Sequence, residues 1–207
     1  MKLAIITDLH LGNTPLVRGA HVRSASHLVA QNIDKFLKRI SYTNPDMLVN
    51  MGDLIRSQDA QTDAVNYKQA LSFFEPYKSK VIHLLGNHEV KKLTENDVLK
   101  FWKEVKYGAD AYGVKDIDGY EIIWVSFTNK IIDNGTVAYI PEKQLAWLSE
   151  QLKKNNNPKL LFSHYPLEGS NFTGNFYFDK EYTIFGHYNN SKELLYFLSE
   201  ANNLKAV

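Results

Sequence analysis

Apolar residues run along this chain in two rhythms, and the way they alternate predicts the architecture. Lys2 to Thr7 (KLAIIT) and Met47 to Met51 are short apolar runs, too brief for a helix, and the second follows the turn residues Asn44, Pro45 and Asp46. Both read as buried strands. Between them Ala30, Ile33, Phe36, Leu37 and Ile40 recur at helical spacing while Lys35, Lys38 and Arg39 fall on the other face, which predicts an amphipathic helix. A second helix is predicted over Thr62 to Tyr77 and a third strand over Lys80 to Leu85 (KVIHLL). Strand and helix in alternation favour a mostly parallel sheet, in which ligands gather beyond the carboxyl ends of the strands.

The second half reads differently. Thr94 with Asp97 is a helix-start signal, and Val98, Phe101, Trp102 and Val105 supply an apolar stripe that stops at Gly108. Ala111 to Val114 and Tyr120 to Phe127 flank the turn residues Asp116, Asp118 and Gly119, which predicts an antiparallel hairpin and hence a second sheet. Pro141 suits the first position of a helix that buries Leu145, Leu148 and Leu152 and ends at Asn155 to Pro158. Leu160 to Ser163 is a further strand. With no internal repeat and no linker, residues 1–207 are expected to form one α/β domain, in layer terms an α+β four-layer sandwich: two mixed β-sheets packed together and flanked by helices.

Composition narrows the partners. Hydrophobic residues at 44% and charged residues at 23% indicate a packed globular core. A formal charge of +1 gives no broad basic surface for tracking a nucleic-acid backbone, so nucleic acid ranks below a small-molecule substrate. The absence of cysteine excludes disulfides and thiolate metal sites, leaving oxygen and nitrogen as the ligands for any metal. The opening MKLAIITD is too short for a secretory signal core, and no run has membrane length; the expectation is a soluble cytoplasmic protein without a membrane partner.

The chemistry sits where strands end. The first strand runs into Asp8-Leu9-His10, whose side chains, two residues apart on extended backbone, would share a side. The second runs into Gly52-Asp53, the third into Gly86-Asn87-His88-Glu89, and the strand from Leu160 into Ser163-His164-Tyr165-Pro166. Taken singly each has a bland explanation, since Asp-x-His and Gly-Asp are common in turns and a lone histidine is more often structural. Four strand ends in succession carrying acids, imidazoles and an amide are not explained by turn chemistry, which calls for Gly, Asn and Pro but not for paired imidazoles.

The ordered set Asp8-x-His10, Gly52-Asp53, Gly86-Asn87-His88-Glu89 and His164 resembles the signature of the calcineurin-like metallophosphoesterases. The resemblance extends over most of the chain, including Gln144-Leu145-Ala146-Trp147-Leu148, similar to a helix that precedes the histidine strand in that family. Within that family the sequence most resembles the bacterial class III cyclic nucleotide phosphodiesterases and their relatives. The resemblance implies a hydrolase of phosphodiesters or phosphomonoesters that works through a dinuclear metal centre and a bridging hydroxide. Asp8 and His10 would hold the first ion, Asp53 would bridge, Asn87 and His164 would serve the second, and Asn87 and His88 would face substrate. His88 would bind no metal but act as the catalytic imidazole, stabilising the phosphoryl group or protonating the leaving oxygen. Ions bridged in this way lie roughly 3.5 to 4 Å apart. Sulfur-free ligation suits Mn, Fe, Zn or Ni.

The chain departs from the family at its end. The family closes its ligand set with Gly-His-x-His, and here only Gly186-His187-Tyr188-Asn189 is similar. On one reading His187 is a ligand and Asn189 a neutral substitute. On the other, which is favoured, the helix Ser191 to Ala201 and the strand start Leu204 to Val207 match the segment that precedes that motif in the related phosphodiesterases, and the sequence stops short of its last ligands. His21 could approach substrate, while His27 and His83 read as surface or structural groups, and Phe172, Phe176, Tyr177 and Phe178 as packing aromatics. Two alternatives to a phosphoesterase remain: a scaffold that kept the fold and lost the metals, for which the catalytic imidazole His88 would have no use, and a nuclease, which the neutral charge disfavours.

Overall fold

The computed structural model describes residues 1–12, 16–18, 21–105, 110–132, 135–167, 173 and 189–207, with 16–18, 21–24, 130–132 and 135–136 described by backbone alone. Contacts divide the chain into two compact units, Met1–Ala111 and Tyr112–Val207.

In the first unit, β1 (Leu3–Ile6) is followed by a small hairpin of β2 (Leu16–Arg18) and β3 (His21–Ser24), then α1 (Val29–Thr43), β4 (Met47–Asn50), α2 (Ala60–Ser72), β5 (Val81–His83) and α3 (Glu95–Glu104). The strands pair in parallel in the order β1-β4-β5, with Leu3 opposite Met47 and Leu48 opposite Val81. The helix predicted around Ala30 to Ile40 buries Val29, Ile33 and Ile40 and turns out of its last turn at Asn44, whose φ of 42° is a left-handed cap donating to the Ile40 carbonyl. The second helix ends at Ser72, five residues earlier than its pattern predicts. Pro76 is the reason: it cannot donate to the Ser72 carbonyl and its ring crowds it, so the chain continues as a 3-10 turn over Glu75–Tyr77. Thr94 and Asp97 form the expected capping box of α3. Tyr67, Leu71, Phe74, Val98 and Trp102 are fully buried, and the Trp102 indole N–H donates to the Tyr67 hydroxyl at 2.7 Å.

In the second unit, β6 (Gly113–Ile117) and β7 (Tyr120–Trp124) form the predicted antiparallel hairpin, with positive φ at Asp118 and Gly119 matching the twist of the strands. A second hairpin, β8 (Thr128–Ile132) and β9 (Gly135–Tyr139), comes next and was not separated from its neighbours by the apolar pattern. After α4 (Glu142–Lys153), which buries Leu145, Leu148 and Leu152 with Pro141 just outside it as N-cap, come β10 (Lys159–Phe162), α5 (Ser191–Ser199) and β11 (Leu204–Ala206). The sheet order is β11-β10-β7-β6, with β10 parallel to both neighbours and β6 antiparallel, so this sheet is mixed as expected. Among the described residues no helix is long and apolar enough to cross a membrane.

β10 matters because His164 lies just past its end. Its first residue, Lys159, is wholly buried, with Nζ 2.5 Å from Glu121 Oε2 on β7 and 2.7 Å from Asn155 Oδ1. A buried cation is tolerable only against such a partner. Lys159→Met strands the Glu121 carboxylate and is expected to lower stability in urea denaturation by about 3–5 kcal/mol, whereas Lys159→Met with Glu121→Leu should recover most of that loss.

Candidate metal centre

Beyond the last ladder pair of the first sheet, the loops after β1 and β4 keep running side by side. Asp8 N–H donates to the Gly52 carbonyl (3.1 Å), His10 to Asp53 (2.9 Å), Leu11 to Leu54 (2.8 Å) and Arg56 to Leu11 (2.9 Å). Along these loops Asp8, His10 and Asp53 hold φ of 54°, 51° and 56°. Left-handed backbone at a non-glycine residue costs on the order of 1 kcal/mol or more, and the other two such residues among those described, Asn44 and Asp118, are explained by a helix cap and a hairpin turn. The two acids and the imidazole of the candidate site have no such local excuse. Asp8 and His10 do come together, with His10 Nε2 3.3 Å from Asp8 Oδ1, but through these left-handed turns and not through the extended backbone expected.

The loops after β4 and β5 approach so closely that glycine is required at both. A Cβ on Gly52, itself at φ 100°, would meet the Gly86 amide at 2.6 Å, and one on Gly86 would overlap the Asp53 amide and the Glu89 carboxylate. Glu89, to which the sequence pattern assigns no role, lies wholly buried between them. Its Oε2 accepts from the amides of Asp53 (2.9 Å) and Gly86 (2.8 Å), and its Oε1 from Leu54 (2.6 Å) and Ile55 (3.4 Å). In turn the His88 amide donates to Asp53 Oδ1 at 2.8 Å.

The result is a cluster in which nitrogen and oxygen donors of His10, Asp53 and His88 all lie within 4.8 Å of one another. Asp53 Oδ2 stands 3.7 Å from His10 Nε2 and 4.0 Å from His88 Nε2, and the two rings meet edge to face at 4.5 Å. Asn87 is half-buried on the same loop, between the anchored Gly86 and His88. His164 belongs to the second unit, where its ring stacks on Phe127 (6.2 Å) and meets Tyr165 edge-on (5.2 Å). His187, Phe172, Phe176, Tyr177 and Phe178 lie outside the described residues, and His21 is described by backbone alone. Asn189 is exposed, its amide bound to the Ala138 carbonyl. His27 sits exposed in a 3-10 turn, and His83 is buried with Nδ1 2.9 Å from Asn50 Nδ2, held neutral by burial with its pKa pulled down to about 3.

Electrostatics fit the cluster to a cation. Burial pushes the Asp53 carboxyl up to about 7 against the pull of His10 and the His88 amide, and Asp8 adds to the rise. Burial alone would lower His10, but the hydrogen bond to Asp8 and the charges of Asp53, Asp8 and Glu89 outweigh it and raise its pKa. A buried carboxyl that holds its proton up to about pH 7 beside two imidazoles is a donor set that a metal ion would relieve, and its N/O composition suits a borderline divalent metal. The two histidines differ in one respect. His88 Nδ1 accepts the Ser57 amide at 3.3 Å, which assigns the ring proton to Nε2, the nitrogen facing the cluster. A nitrogen that keeps its proton donates, and one that gives it up can ligate.

The pattern of the calcineurin-like phosphoesterases matches residues 1–206, and the chain belongs to that family. It is a metal-dependent phosphoesterase, a hydrolase, and its cofactors are divalent metal ions. Over 208 aligned positions it is 28% identical to a probable cyclic nucleotide phosphodiesterase of Fibrobacter succinogenes, covering all of this chain and 70% of that protein. A dimetal phosphatase from Danio rerio shares the fold, with a TM-score of 0.78 and 12% identity over 98% of this chain and 78% of the other.

Two outcomes are expected. Glu89→Ala removes the acceptor of several buried amides and should cost about 3 kcal/mol or more in urea denaturation, with faster hydrogen exchange at Asp53, Leu54 and Gly86. In chelator, the folded state binds more protons than the unfolded chain between about pH 4 and about pH 7, because the Asp53 pKa is raised. That stabilisation is complete in acid and is lost as pH climbs through about 7; His10 has the same sign. Asp53→Asn, which mimics the neutral acid, should therefore match wild type in thermal midpoint near pH 4 and exceed it at pH 8. A difference that does not change with pH contradicts the assignment.

Proposed function

We propose that this chain hydrolyses small phosphodiesters, with cyclic nucleotides as the preferred class, at a dinuclear centre held by Asp8, His10, Asp53, Asn87 and His164. The observation that carries the reading is the convergence of His10 and His88 on the buried Asp53 carboxylate, with Asp8 beside His10. Asp8, His10 and Asp53 would hold one ion; Asp53, shared, would join Asn87 and His164 around the other. Manganese, iron, zinc and nickel all suit these ligands. When bound, the ions supply neutralisation of phosphoryl charge and activation of water. The name of the Fibrobacter relative supports the diester over the monoester.

The hydrogen bonds define what the chain's own groups contribute. Asp53 Oδ1 is tied to the His88 amide, so Oδ2 is the oxygen turned to His10 and His88. His88, with its proton on Nε2, serves as donor to the phosphoryl or leaving oxygen and keeps that proton without needing to be charged. Its ring is fixed at both the backbone and Nδ1, so little ordering is left to be done when substrate arrives.

The test is manganese-stimulated hydrolysis of bis(p-nitrophenyl) phosphate and of cyclic nucleoside monophosphates, beside p-nitrophenyl phosphate as the monoester. Wild type should turn over the diesters faster. Asp53→Asn should abolish turnover, and His88→Asn should lower kcat by about 10²–10⁴ with metal content unchanged. Turnover that metal never stimulates overturns the proposal, and a metal content that falls with His88→Asn would make His88 a ligand.

A further inference from the structure

Asp63 is fully buried, although it sits in the first turn of α2, where an acidic residue is ordinarily exposed. It does not cap that helix: the N-cap is Asp59, whose carboxylate accepts from the Thr62 amide at 2.9 Å and the Thr62 hydroxyl at 2.7 Å. Burying a second carboxylate one turn further on carries a desolvation cost, so its partners are the place to look for its purpose. They lie outside the helix. Asp63 Oδ1 accepts from the Gln58 amide at 2.9 Å, and Oδ2 from the Ser57 hydroxyl at 3.3 Å.

Ser57 is the residue whose own amide donates to His88 Nδ1, across 31 positions of sequence. A buried carboxylate therefore grips the two residues Ser57 and Gln58, and that turn presents one N–H to the imidazole. Imidazole has two neutral tautomers of similar energy in water, and the one adopted in a protein is set by what the far nitrogen meets. Here the far nitrogen meets a donor. The proton then belongs on Nε2, toward the Asp53 cluster. If the turn moved so that water or a carbonyl faced Nδ1, the proton would be free to sit there, and Nε2 would become an acceptor, useless as a donor and open to misligation.

We propose that Asp63 is a positioning residue for His88, acting through the Ser57–Gln58 turn to hold the imidazole in the Nε2-protonated form. This rests on the reading of His88 as a proton donor to substrate, and reaches beyond it to a carboxylate that touches neither substrate nor metal. Asp63→Asn should preserve the arrangement, because its amide oxygen still accepts from Gln58 while its NH₂ group can donate to the Ser57 hydroxyl oxygen. Asp63→Ala removes both grips.

The experiment reads the tautomer directly, in metal-free protein with ¹⁵N-labelled histidine, from long-range ¹⁵N–¹H correlations assigned to His88 by loss of the signal in His88→Asn. Wild type and Asp63→Asn should carry the proton on Nε2, Asp63→Ala should show a mixture, and Ser57→Ala, which removes one of the two grips, a smaller admixture of the other form. With manganese, kcat of Asp63→Ala should fall about 10- to 100-fold at unchanged KM, and Asp63→Asn should stay within about twofold of wild type. A wild-type ring protonated on Nδ1 overturns the proposal. So does an Asp63→Ala ring that keeps the wild-type tautomer, and should that variant not fold, a Ser57→Ala ring indistinguishable from wild type does the same. Because the tautomer is read without turnover, its failure is separable from that of the phosphodiesterase reading: an Nε2–H ring in a protein that never turns over diesters condemns only the latter.

Discussion

One buried carboxylate, that of Glu89, holds the loops on which the rest of the first unit's chemistry depends. Where β4 and β5 end, the ladder can no longer pair their amides, and the approach of Gly52 to Gly86 brings N–H groups of both loops to face the same small space. Facing donors repel and, buried, would each lack a partner. A charged acceptor with two oxygens is the compact solution, and Glu89 takes amides from both sides. The same geometry dictates the glycines, since any side chain would wedge the loops apart. It also adds a fixed negative charge behind His10 and Asp53, which helps raise the His10 pKa.

That clamp lets the neighbouring backbone hold strained conformations. Asp8, His10 and Asp53 each adopt left-handed φ, which a free loop would relax. They persist because the hydrogen bonds from Asp8 to Gly52, His10 to Asp53 and Leu11 to Leu54 extend the pairing of β1 and β4 past the regular strands. The strain has a product: Asp8 and His10 from one loop meet Asp53 from the next, with His10 Nε2 3.3 Å from Asp8 Oδ1 and 3.7 Å from Asp53 Oδ2. Burial is what makes the Asp53 charge costly there and pushes its pKa up to about 7, with Asp8 adding to the rise while His10 and the His88 amide oppose it. A cation exchanged for protons is the natural relief, so affinity for metal and instability without it have a common origin.

How much of this is legible in the sequence depends on what kind of atom carries the interaction. Side chains at strand ends can be read, and Asp8, His10, Asp53, Asn87 and His88 do share one unit of the fold. Periodicity also locates the α1 and α4 helices and the strands around them, because burial there depends on side-chain spacing. Backbone chemistry cannot be read. Nothing in Ser57 as a residue type announces that its amide will meet His88 Nδ1, and Asp63 has the pattern of an ordinary first-turn acid until its burial is known. Glu89 is visible within a motif, yet its four amide partners come from loops 34 to 36 residues away and from its own turn. The expectation that Asp8 and His10 face one side because they are extended reaches a correct pairing by a wrong route, since left-handed φ is invisible in Asp and His. The β8–β9 hairpin escapes the pattern because its strands come after β7 with only a few residues between, so one apolar stretch conceals a change of partner.

The two imidazoles beside Asp53 show why residue type alone does not assign a role. His10 and His88 have rings 4.5 Å apart, and each turns Nε2 toward the same carboxylate oxygen. Counted as donors within reach of an ion, they are equivalent. What separates them is the other nitrogen. A backbone N–H at Nδ1 of His88 reserves that lone pair and puts a proton on the nitrogen that faces the cluster, whereas His10 has its Nε2 against two carboxylates that a cation would replace as partner. A ligand must offer a lone pair and a donor must not. On the proposed reading, role is decided one bond further out than the site itself, and for His88 that bond leads through Ser57, whose hydroxyl donates to Asp63.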